Sequence, residues 1–423
     1  MDAAPATLAE KLVARAAGRQ TVRPGEYVTC EVDLAMFHDS SGPRRLQPML
    51  ERLGARVRHP ERVVLVIDHY VPERDDESRR IVRIAREFGA RAGLRAVHDA
   101  EGICHVVLPR RGHLRPGLFA VGGDSHSPTG GAFGAYMFGI GATEMLGVMV
   151  TGRIWLQVPQ TMRVRFEGAP GDGVTAKDLM LFLIGRFGMN GGAYRAVEYA
   201  GAAVAAMDME ERMTLANLTA ELGGQVGLIA PDATTVAWLA AHGVPGVDPA
   251  PWRTDEDAAI AEDPVFDAAA IGPQVAAPHS PANARPVAEA AGTPVQVAYV
   301  GACTGAKRVD LRAAARVLRG RRVAAGVQLM VAPASLDDLR LAEQEGSMQA
   351  LRDAGAVVLP IGCGACAGYG GGIPPGATVI SSTARNFRGR MGPEDAPVWL
   401  GSPYTVAAAA LRGAICDPRE VLA

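Results

Sequence analysis

Three cysteines have the surroundings and the spacing of metal ligands. Cys363 and Cys366 form a CxxC pair in the glycine-rich loop GCGACAG, and Cys303 lies in a second turn of small residues, GACTG. Loops with little side-chain bulk can approach an inorganic group closely and direct backbone N–H groups at its sulfur atoms. A structural zinc site would need four protein ligands, so three thiolates predict a centre with one position open for chemistry.

The same cysteines allow two other interpretations. A thioredoxin-like redox pair shares the CxxC spacing, but such pairs begin a helix in a much smaller domain and need no distant third cysteine. A structural zinc site with a further ligand elsewhere in the chain is the second alternative. The remaining cysteines, Cys30, Cys104 and Cys416, are most simply small buried apolar side chains.

Two short segments place a carboxylate beside an imidazole. They are Asp68-His69 and Asp124-Ser125-His126, and in each the acid could fix the tautomer of the ring and raise its basicity. His105 adds a third imidazole, on a segment (HVVLP) whose pattern predicts a strand. Any one of these residues alone is more often a structural polar group, since Asp and Ser before a helix are ordinary N-caps, but their shared position after strands favours proton transfer.

Other polar residues have the character of substrate ligands. Arg385 and Arg390, in ARNFRGRMG, could each bind a carboxylate through two parallel hydrogen bonds, although alone they would be taken for surface residues. Asn217 and Glu221 are four residues apart in NLTAELGG, which predicts that they face the same side of one helix.

The elements that must position these residues alternate between strand-like and helical patterns. This alternation predicts an α/β fold with mostly parallel sheets. The strands that end at reactive residues are predicted over 62–67, 118–121, 296–301, 356–361 and 378–382. Because ligands bind at the carboxyl ends of such strands, we expect one shared cleft. Helices are predicted over 310–319 and 335–355, the latter capped by Ser335.

Composition limits the classes of function. The chain has 423 residues, 43 basic and 45 acidic, and 48% hydrophobic residues, which indicates a folded protein of enzyme size. A net charge of −2 makes a nucleic-acid partner unlikely. No unbroken apolar stretch predicts a membrane span or a secretory signal, so we expect a cytoplasmic protein without membrane contact. We expect domains at 1–154, 155–290 and 291–423, with a Pro/Ala-rich surface connection over 243–293.

A series of motifs in order along the chain resembles the aconitase superfamily, and most closely the large subunits of 3-isopropylmalate dehydratase. The motifs are IDHYVP, GICHVVLP, GGDSHSPTGGAFGAYMFGIGATEM, GVTAKDLMLFLIGRFG, MTLANLTAELGGQVGLIAPD, VGACTG, GCGACAG and RNFRGR. The resemblance implies three α/β domains around a central iron–sulfur cluster, without the mobile swivel domain of single-chain aconitases. It also implies a hydro-lyase that dehydrates and rehydrates a small hydroxy di- or tricarboxylic acid.

The resemblance implies roles for individual residues. Cys303, Cys363 and Cys366 would hold a 4Fe-4S cluster whose fourth iron has no protein thiolate. His69, oriented by Asp68, would protonate the departing hydroxyl. The residues expected to orient water and move its protons are Asp124, His126, His105 and Glu221, and those expected to bind substrate are Arg385, Arg390, Ser125 and Asn217. A separate small subunit would supply the missing swivel domain.

The chain departs from the family pattern at two places, and these leave the substrate open. The usual Ser-Cys-Thr-Asn-Ser turn is Ala302-Cys303-Thr304-Gly305-Ala306 here, and the asparagine usual before the first arginine is Ala384. The alternatives are a paralogue acting as homoaconitase, aconitase, dimethylmaleate hydratase or citraconate hydratase. An RNA-binding regulator that has lost its cluster is a further alternative, which the near-neutral charge disfavours.

Overall fold

A computed structural model describes residues 4–369 and 372–422 of the chain. The strands are β1 (Tyr27–Glu31), β2 (Leu34–His38), β3 (Val63–Ile67), β4 (Ala96–Asp99), β5 (Phe119–Gly122), β6 (Tyr136–Gly139), β7 (Arg153–Gln157), β8 (Thr161–Glu167), β9 (Ala196–Ala200), β10 (Val226–Leu228), β11 (Val265–Asp267), β12 (Gln274–Ala276), β13 (Ala284–Pro286), β14 (Val297–Val300), β15 (Gln328–Val331), β16 (Val357–Val358), β17 (Val379–Ser381) and β18 (Val398–Gly401).

Helices separate most of these strands. The α-helices are α1 (Leu8–Ala16), α2 (Pro43–Leu53), α3 (Asp76–Arg91), α4 (Cys104–Arg110), α5 (Ala142–Thr151), α6 (Ala176–Phe187), α7 (Ala202–Ala206), α8 (Met209–Leu222), α9 (Ala233–Ala241), α10 (Arg308–Leu318), α11 (Leu336–Gln344), α12 (Ser347–Ala354) and α13 (Pro403–Arg412). Short 3-10 helices lie at Pro60–Arg62, Ser127–Phe133, Ala268–Ala270, Pro281–Asn283, Val287–Ala290, Gly364–Ala367 and Pro418–Glu420. Among the helices that the structure describes, none is long and apolar enough to cross a membrane.

The chain forms two compact units. Unit 1 comprises Met1–Ala100, Val107–Phe166 and Gly192–Phe266, and unit 2 comprises Glu101–Val106, Glu167–Gly191 and Asp267–Ala423. The expected division into three domains at 1–154, 155–290 and 291–423 stays a prediction.

Unit 1 is built on a parallel five-stranded sheet with the order β4-β3-β2-β5-β6. All residues of β2 and β3 are buried, as expected for strands that are covered on both faces. The same unit holds a four-stranded sheet in the order β10-β9-β8-β11 and an antiparallel pair, β1 with β7. The central position of β2 brings the ends of β3 and β5 to either side of it.

Unit 2 is built on a seven-stranded sheet with the order β13-β12-β18-β17-β14-β15-β16. Neighbouring strands are parallel along the run β18-β17-β14-β15-β16. Strand β12 pairs antiparallel with both β13 and β18. Helices α10 and α13 pack against each other in this unit. Both units therefore confirm the predicted α/β class with mostly parallel sheets.

Most predicted elements are confirmed, but three details were wrong. His105 lies in α4 instead of a strand; the run Val106–Leu108 is fully buried, and a short apolar run does not distinguish a buried helix from a strand. The helix predicted over 335–355 is two helices, broken at Gly346 with φ +73°. The segment 243–293, predicted as a surface connection, also contains β12, which is fully buried within the seven-stranded sheet.

Candidate active site

The acid and imidazole residues of unit 1 lie at the carboxyl edge of its five-stranded sheet. Asp68-His69 directly follow β3, and Asp124-Ser125-His126 follow β5 after one glycine. Between them β2 ends at His38, which is followed by Asp39. Parallel strands bring these three ends together, so one edge of the sheet carries several proton-transfer groups.

The neighbours of His69 shift its pKa strongly. Its Nδ1 lies 2.6 Å from Oδ1 of Asp68, and its ring stacks on that of His38 at 3.9 Å between centroids. Burial acts to lower the pKa of His69, but the carboxylates of Asp68, Asp39 and Asp124 outweigh burial and raise that pKa from 6.5 to about 9. The ring therefore carries protons on both nitrogens, and a positive charge, at neutral pH.

Asp39 fixes the loop that carries His69. Its Oδ1 accepts hydrogen bonds from the backbone N–H groups of Asp68 and His69, at 3.2 and 3.1 Å, and its Oδ2 accepts one from Tyr70 at 2.8 Å. The Asp39 side chain is fully buried. Charge-assisted bonds to buried amides are strong, so this loop is held by its main chain.

His126 is held between two carboxylates of unit 1. Its Nε2 lies 3.0 Å from Oε1 of Glu221, and its Nδ1 lies 3.5 Å from Oδ1 of Asp124. The His126 carbonyl accepts a hydrogen bond from Oγ1 of Thr129, which in turn accepts one from Nδ2 of Asn217 at 2.8 Å. Asn217 and Glu221 lie one turn apart on α8, which confirms that they face the same side of that helix.

The two remaining predicted residues of this group are Ser125 and His105. Ser125 is exposed on unit 1, between Asp124 and His126. His105 belongs to unit 2 and is buried in α4. Their roles as substrate-binding and catalytic residues stay predictions.

The three predicted cysteine ligands all lie in unit 2. Cys303 follows β14, and Cys363 and Cys366 lie in and beside the 3-10 helix that follows β16. Strands β14 and β16 are the two neighbours of β15 in a parallel arrangement, so both cysteine loops leave the same edge of the sheet. Cys303 and Cys366 are buried, and Cys363 is half-buried.

Two buried side chains lie close enough to the thiols to be affected by their charges. Burial lowers the pKa of Lys177 to about 8, an effect opposed by Asp310 and by the thiolates of Cys366 and Cys303. Burial also raises the pKa of Tyr299 well above 10, and the charges of Cys366 and Cys363 raise it further. The three thiols are therefore gathered in one region of unit 2.

The donor set fits a group larger than a single ion. Within residues 4–369 and 372–422, the three thiols are not among the groups of ligands whose atoms all lie within 4.8 Å of one another. Thiolates on one zinc ion, with Zn–S bonds of about 2.3 Å, would lie roughly 4 Å apart. A cluster with one thiolate on each of several irons spreads its ligands further. A buried hydroxyl of Tyr299 beside the thiols, without a protein partner in the described residues, also fits such a group.

The predicted carboxylate-binding arginines are in the same unit. Arg385 and Arg390 are half-buried in the loop that follows β17. Nζ of Lys177 donates to the carbonyl oxygens of residues 382 and 383, at 2.5 and 2.6 Å, and so fixes the chain just ahead of Arg385. Met391, next to Arg390, belongs to the same apolar cluster as Tyr299 and Ala365 of the CxxC loop.

Residue 305, one of the departures in the Cys303 turn, is glycine for a steric reason. A Cβ atom on this residue would lie 2.2 Å from Oγ and 2.3 Å from Cβ of Ser382. The Ser382 hydroxyl is used, because it accepts from the N–H of Gly301 at 2.9 Å and bonds the Gly305 carbonyl at 3.2 Å. The lack of a side chain at residue 305 therefore leaves room for Ser382, whose hydroxyl holds the turn together.

Sequence reasoning missed several residues of the site. His38 and Asp39 follow a buried apolar strand, the same signal that identified Asp68 and Asp124, so applying that rule to β2 would have found them. Lys177 stands inside the apolar run TAKDLMLFLI, and a lysine there signals a buried charge. Tyr299 carries no such signal, because a tyrosine in a buried strand is ordinary core.

Comparison with known proteins gives matches along nearly the whole chain. The model of the Aconitase family (aconitate hydratase) matches residues 10–413. The probable methanogen homoaconitase large subunit of Methanothermobacter thermautotrophicus is 41% identical over 98% of this chain and 97% of its own length. The probable 3-isopropylmalate dehydratase large subunit of the same organism is 40% identical over 97% of this chain and 98% of its own. The 3-isopropylmalate dehydratase large subunit 1 of Methanopyrus kandleri is 39% identical over 98% and 99%.

A solved structure also matches. Aconitase X from Thermococcus kodakaraensis, in its holo form, aligns over 85% of this chain and 84% of its own, with a TM-score of 0.48 and 12% identity. This likeness is too weak to support a conclusion.

Proposed function

Because this chain belongs to the aconitase family, we propose that it is the large subunit of a 4Fe-4S hydro-lyase of the 3-isopropylmalate dehydratase type. Such an enzyme removes water from a hydroxy di- or tricarboxylic acid and adds it back. The observation that carries the proposal is that the loops of Cys303, Cys363 and Cys366 leave the same edge of one parallel sheet, in a chain that matches the family over residues 10–413.

In this proposal the three cysteines hold the cluster and the arginines hold the substrate. When bound, the cluster supplies a Lewis acid for the elimination of a hydroxyl group. Arg385 and Arg390 bind substrate carboxylates through paired hydrogen bonds. Lys177 contributes by holding the backbone just ahead of Arg385.

His69 is the proposed proton donor to the departing hydroxyl. Its Nδ1–H bonds Asp68, which leaves the proton on Nε2 as the one to be given to substrate. A pKa raised to about 9 by neighbouring carboxylates keeps this second proton in place at neutral pH. Stacking on His38 limits rotation of the ring, so the donor atom keeps its direction.

His126 is the proposed carrier of the proton of water. Glu221 faces its Nε2 and Asp124 faces its Nδ1, so either ring nitrogen can exchange a proton with a carboxylate. We assign His105 to the same task. Ser125 and Asn217 are the proposed further contacts to substrate.

A homoaconitase is the second candidate. The relative with that name is 41% identical, against 40% and 39% for two of the relatives named 3-isopropylmalate dehydratase. Overall identity therefore does not separate the two substrates. The relatives are named large subunits, and we propose a separate small subunit for this chain as well. The cytoplasmic location stays a prediction.

Metal and sulfide analysis of protein purified without oxygen tests the cluster. We expect about four iron and four labile sulfide per chain. Cys363→Ser should lose both, whereas Cys30→Ser, a buried cysteine of unit 1, should keep both. Zinc without labile sulfide would contradict the proposal.

A substrate panel tests the reaction. The chain and its small subunit are assayed with 3-isopropylmalate, homocitrate, citrate, citraconate and dimethylmaleate. We expect dehydration or hydration of at least one of these acids, with 3-isopropylmalate turned over fastest. A faster reaction with homocitrate would establish the second candidate, and no reaction with any of them by cluster-loaded protein would overturn both.

A further inference from the structure

We propose that the hydroxyl of Tyr299 donates a hydrogen bond to a sulfur atom of the cluster held by Cys303, Cys363 and Cys366. Tyr299 would then be a positioning residue that sets how firmly the cluster is held and how easily it is reduced. This inference rests on the proposed function, because it requires a cluster at these cysteines.

The first observation is a buried hydroxyl without a partner among the described residues. Tyr299 lies on β14 and its side chain is fully buried. Among the residues that the structure describes, no hydrogen-bond partner reaches its hydroxyl. Buried tyrosine hydroxyls nearly always have a partner, because leaving one unpaired in an apolar environment is costly. The acceptor is therefore expected to be a group outside the described residues, and a cluster at the nearby cysteines is such a group.

The second observation is the place to which the hydroxyl points. A Cβ atom on Gly301 would lie 2.2 Å from Cζ and 2.4 Å from the hydroxyl oxygen of Tyr299. The phenol end of the ring thus lies against the backbone two residues before Cys303. Only glycine permits this approach, and the approach brings a donor to the base of the first cysteine loop.

The third observation is the charge around the ring. The thiolates of Cys366 and Cys363 act on the phenol from the second cysteine loop. Ala365 of that loop belongs to the same apolar cluster as Tyr299, and Gly301 of the first loop lies against the phenol, so the ring lies near both cysteine loops. A tyrosine phenol has a pKa of about 10 even without such neighbours, so at neutral pH it keeps its proton and acts as a donor.

The surroundings favour sulfur as the acceptor. The apolar cluster around Tyr299 includes Val297, Met330, Ala365 and Met391, whose side chains offer no strong acceptor. Cluster sulfides and cysteine thiolates accept hydrogen bonds, and such bonds stabilise a cluster and raise its reduction potential. The hydroxyl, which has no partner within residues 4–369 and 372–422, would thus gain one when the cluster is bound.

Tyr299→Phe tests the inference, with Tyr199→Phe as the matched control. Tyr199 is equally buried in unit 1, but its hydroxyl bonds Oγ1 of Thr219 at 2.7 Å. Each variant is purified without oxygen. The rate of cluster loss to an iron chelator is followed by visible absorbance, and the midpoint potential by titration monitored with electron paramagnetic resonance. Urea unfolding of the cluster-free protein is measured in parallel.

The two variants should behave in opposite ways. Tyr299→Phe should lose its cluster about 10-fold faster than wild type and show a lower midpoint potential, while its cluster-free form is as stable as wild type or more so. Tyr199→Phe should keep the cluster as wild type does and lose stability. A purely structural role for Tyr299 would instead destabilise the cluster-free protein.

Two results would overturn the inference, and they are distinguishable. If wild-type protein carries a cluster and Tyr299→Phe matches it in rate of loss and potential, only the role of Tyr299 fails. If wild-type protein carries no labile sulfide, the proposed function fails, and the hydroxyl has no cluster sulfur to which it could donate.

Discussion

Replacing Asp68 with asparagine tests whether the buried ion pair keeps His69 protonated. The two side chains are 0% and 14% exposed, and Oδ1 of the acid lies 2.6 Å from Nδ1 of the ring. The pKa of His69 is raised from 6.5 to about 9. At roughly 1.4 kcal/mol per pKa unit, this preference for the charged ring corresponds to about 3 kcal/mol.

The sign of the pH dependence follows from the direction of the shift. Because the pKa of His69 is higher in the folded protein, the stabilisation is present in full below about pH 6.5 and is lost as pH rises through about 9. Asp39 and Asp124 supply part of the shift and are retained in the variant. We therefore expect Asp68→Asn to lower the free energy of unfolding by about 2 kcal/mol at pH 6, and by much less at pH 10.

Urea unfolding from pH 6 to pH 10, followed by tryptophan fluorescence, measures this difference. Trp155, Trp238 and Trp252 all lie in unit 1, so the signal reports mainly on the unit that holds the pair. Other groups also titrate in this range; the lowered pKa of Lys177, for example, makes stability rise with pH between about 8 and 10.5. Subtracting the free energy of unfolding of wild type from that of the variant at each pH cancels such contributions.

A second aspartate of unit 1 provides the control. Asp263 pairs with Arg163 and Arg165, which do not titrate in this range. The difference between Asp263→Asn and wild type should therefore stay constant from pH 6 to pH 10. If the difference for Asp68→Asn is equally constant, the reasoning about His69 is refuted.

Three further predictions concern other contacts of the site. Lys177→Met removes one donor from each of the carbonyl oxygens of residues 382 and 383, of which, among the described residues, only the first keeps a bond, from Oγ1 of Thr304; unit 2 should lose about 1–3 kcal/mol in urea unfolding. Gly305→Asn places Cβ 2.2 Å from Oγ of Ser382, and should cost about 1–3 kcal/mol, partly restored by adding Ser382→Gly. Glu221→Gln removes the charge 3.0 Å from Nε2 of His126, and kcat should fall about 100-fold with little change in KM. Unchanged unfolding curves or an unchanged kcat would contradict the respective contact.

The sequence was most informative where a buried strand stops at a polar residue. Residues Asp68, Asp124 and Cys303 were found in this way, because an apolar run that ends abruptly marks the carboxyl edge of a parallel sheet. The pairing of His126 with Glu221 needed α8 and the β5 loop to meet. That contact joins residues 95 positions apart, and no local pattern encodes it.

Other features depend on burial and on distant contacts, so a local sequence pattern could not predict them. The helical state of His105 was missed because α4 is short and buried, where periodicity has no exposed face to reveal. The role of Lys177 depends on carbonyl oxygens more than 200 positions away. The position of the Tyr299 hydroxyl depends on its close approach to Gly301, which results from the packing of the whole unit.

Asp39 holds the loop after β3 through the amides of Asp68, His69 and Tyr70, and this has a use in protein engineering. Every amino acid except proline supplies the same N–H, so the hydrogen bond from the backbone of residue 70 to Asp39 does not depend on the side chain at that position. A combinatorial library at that position would therefore vary the chemistry next to the proton donor while the donor itself keeps its anchor.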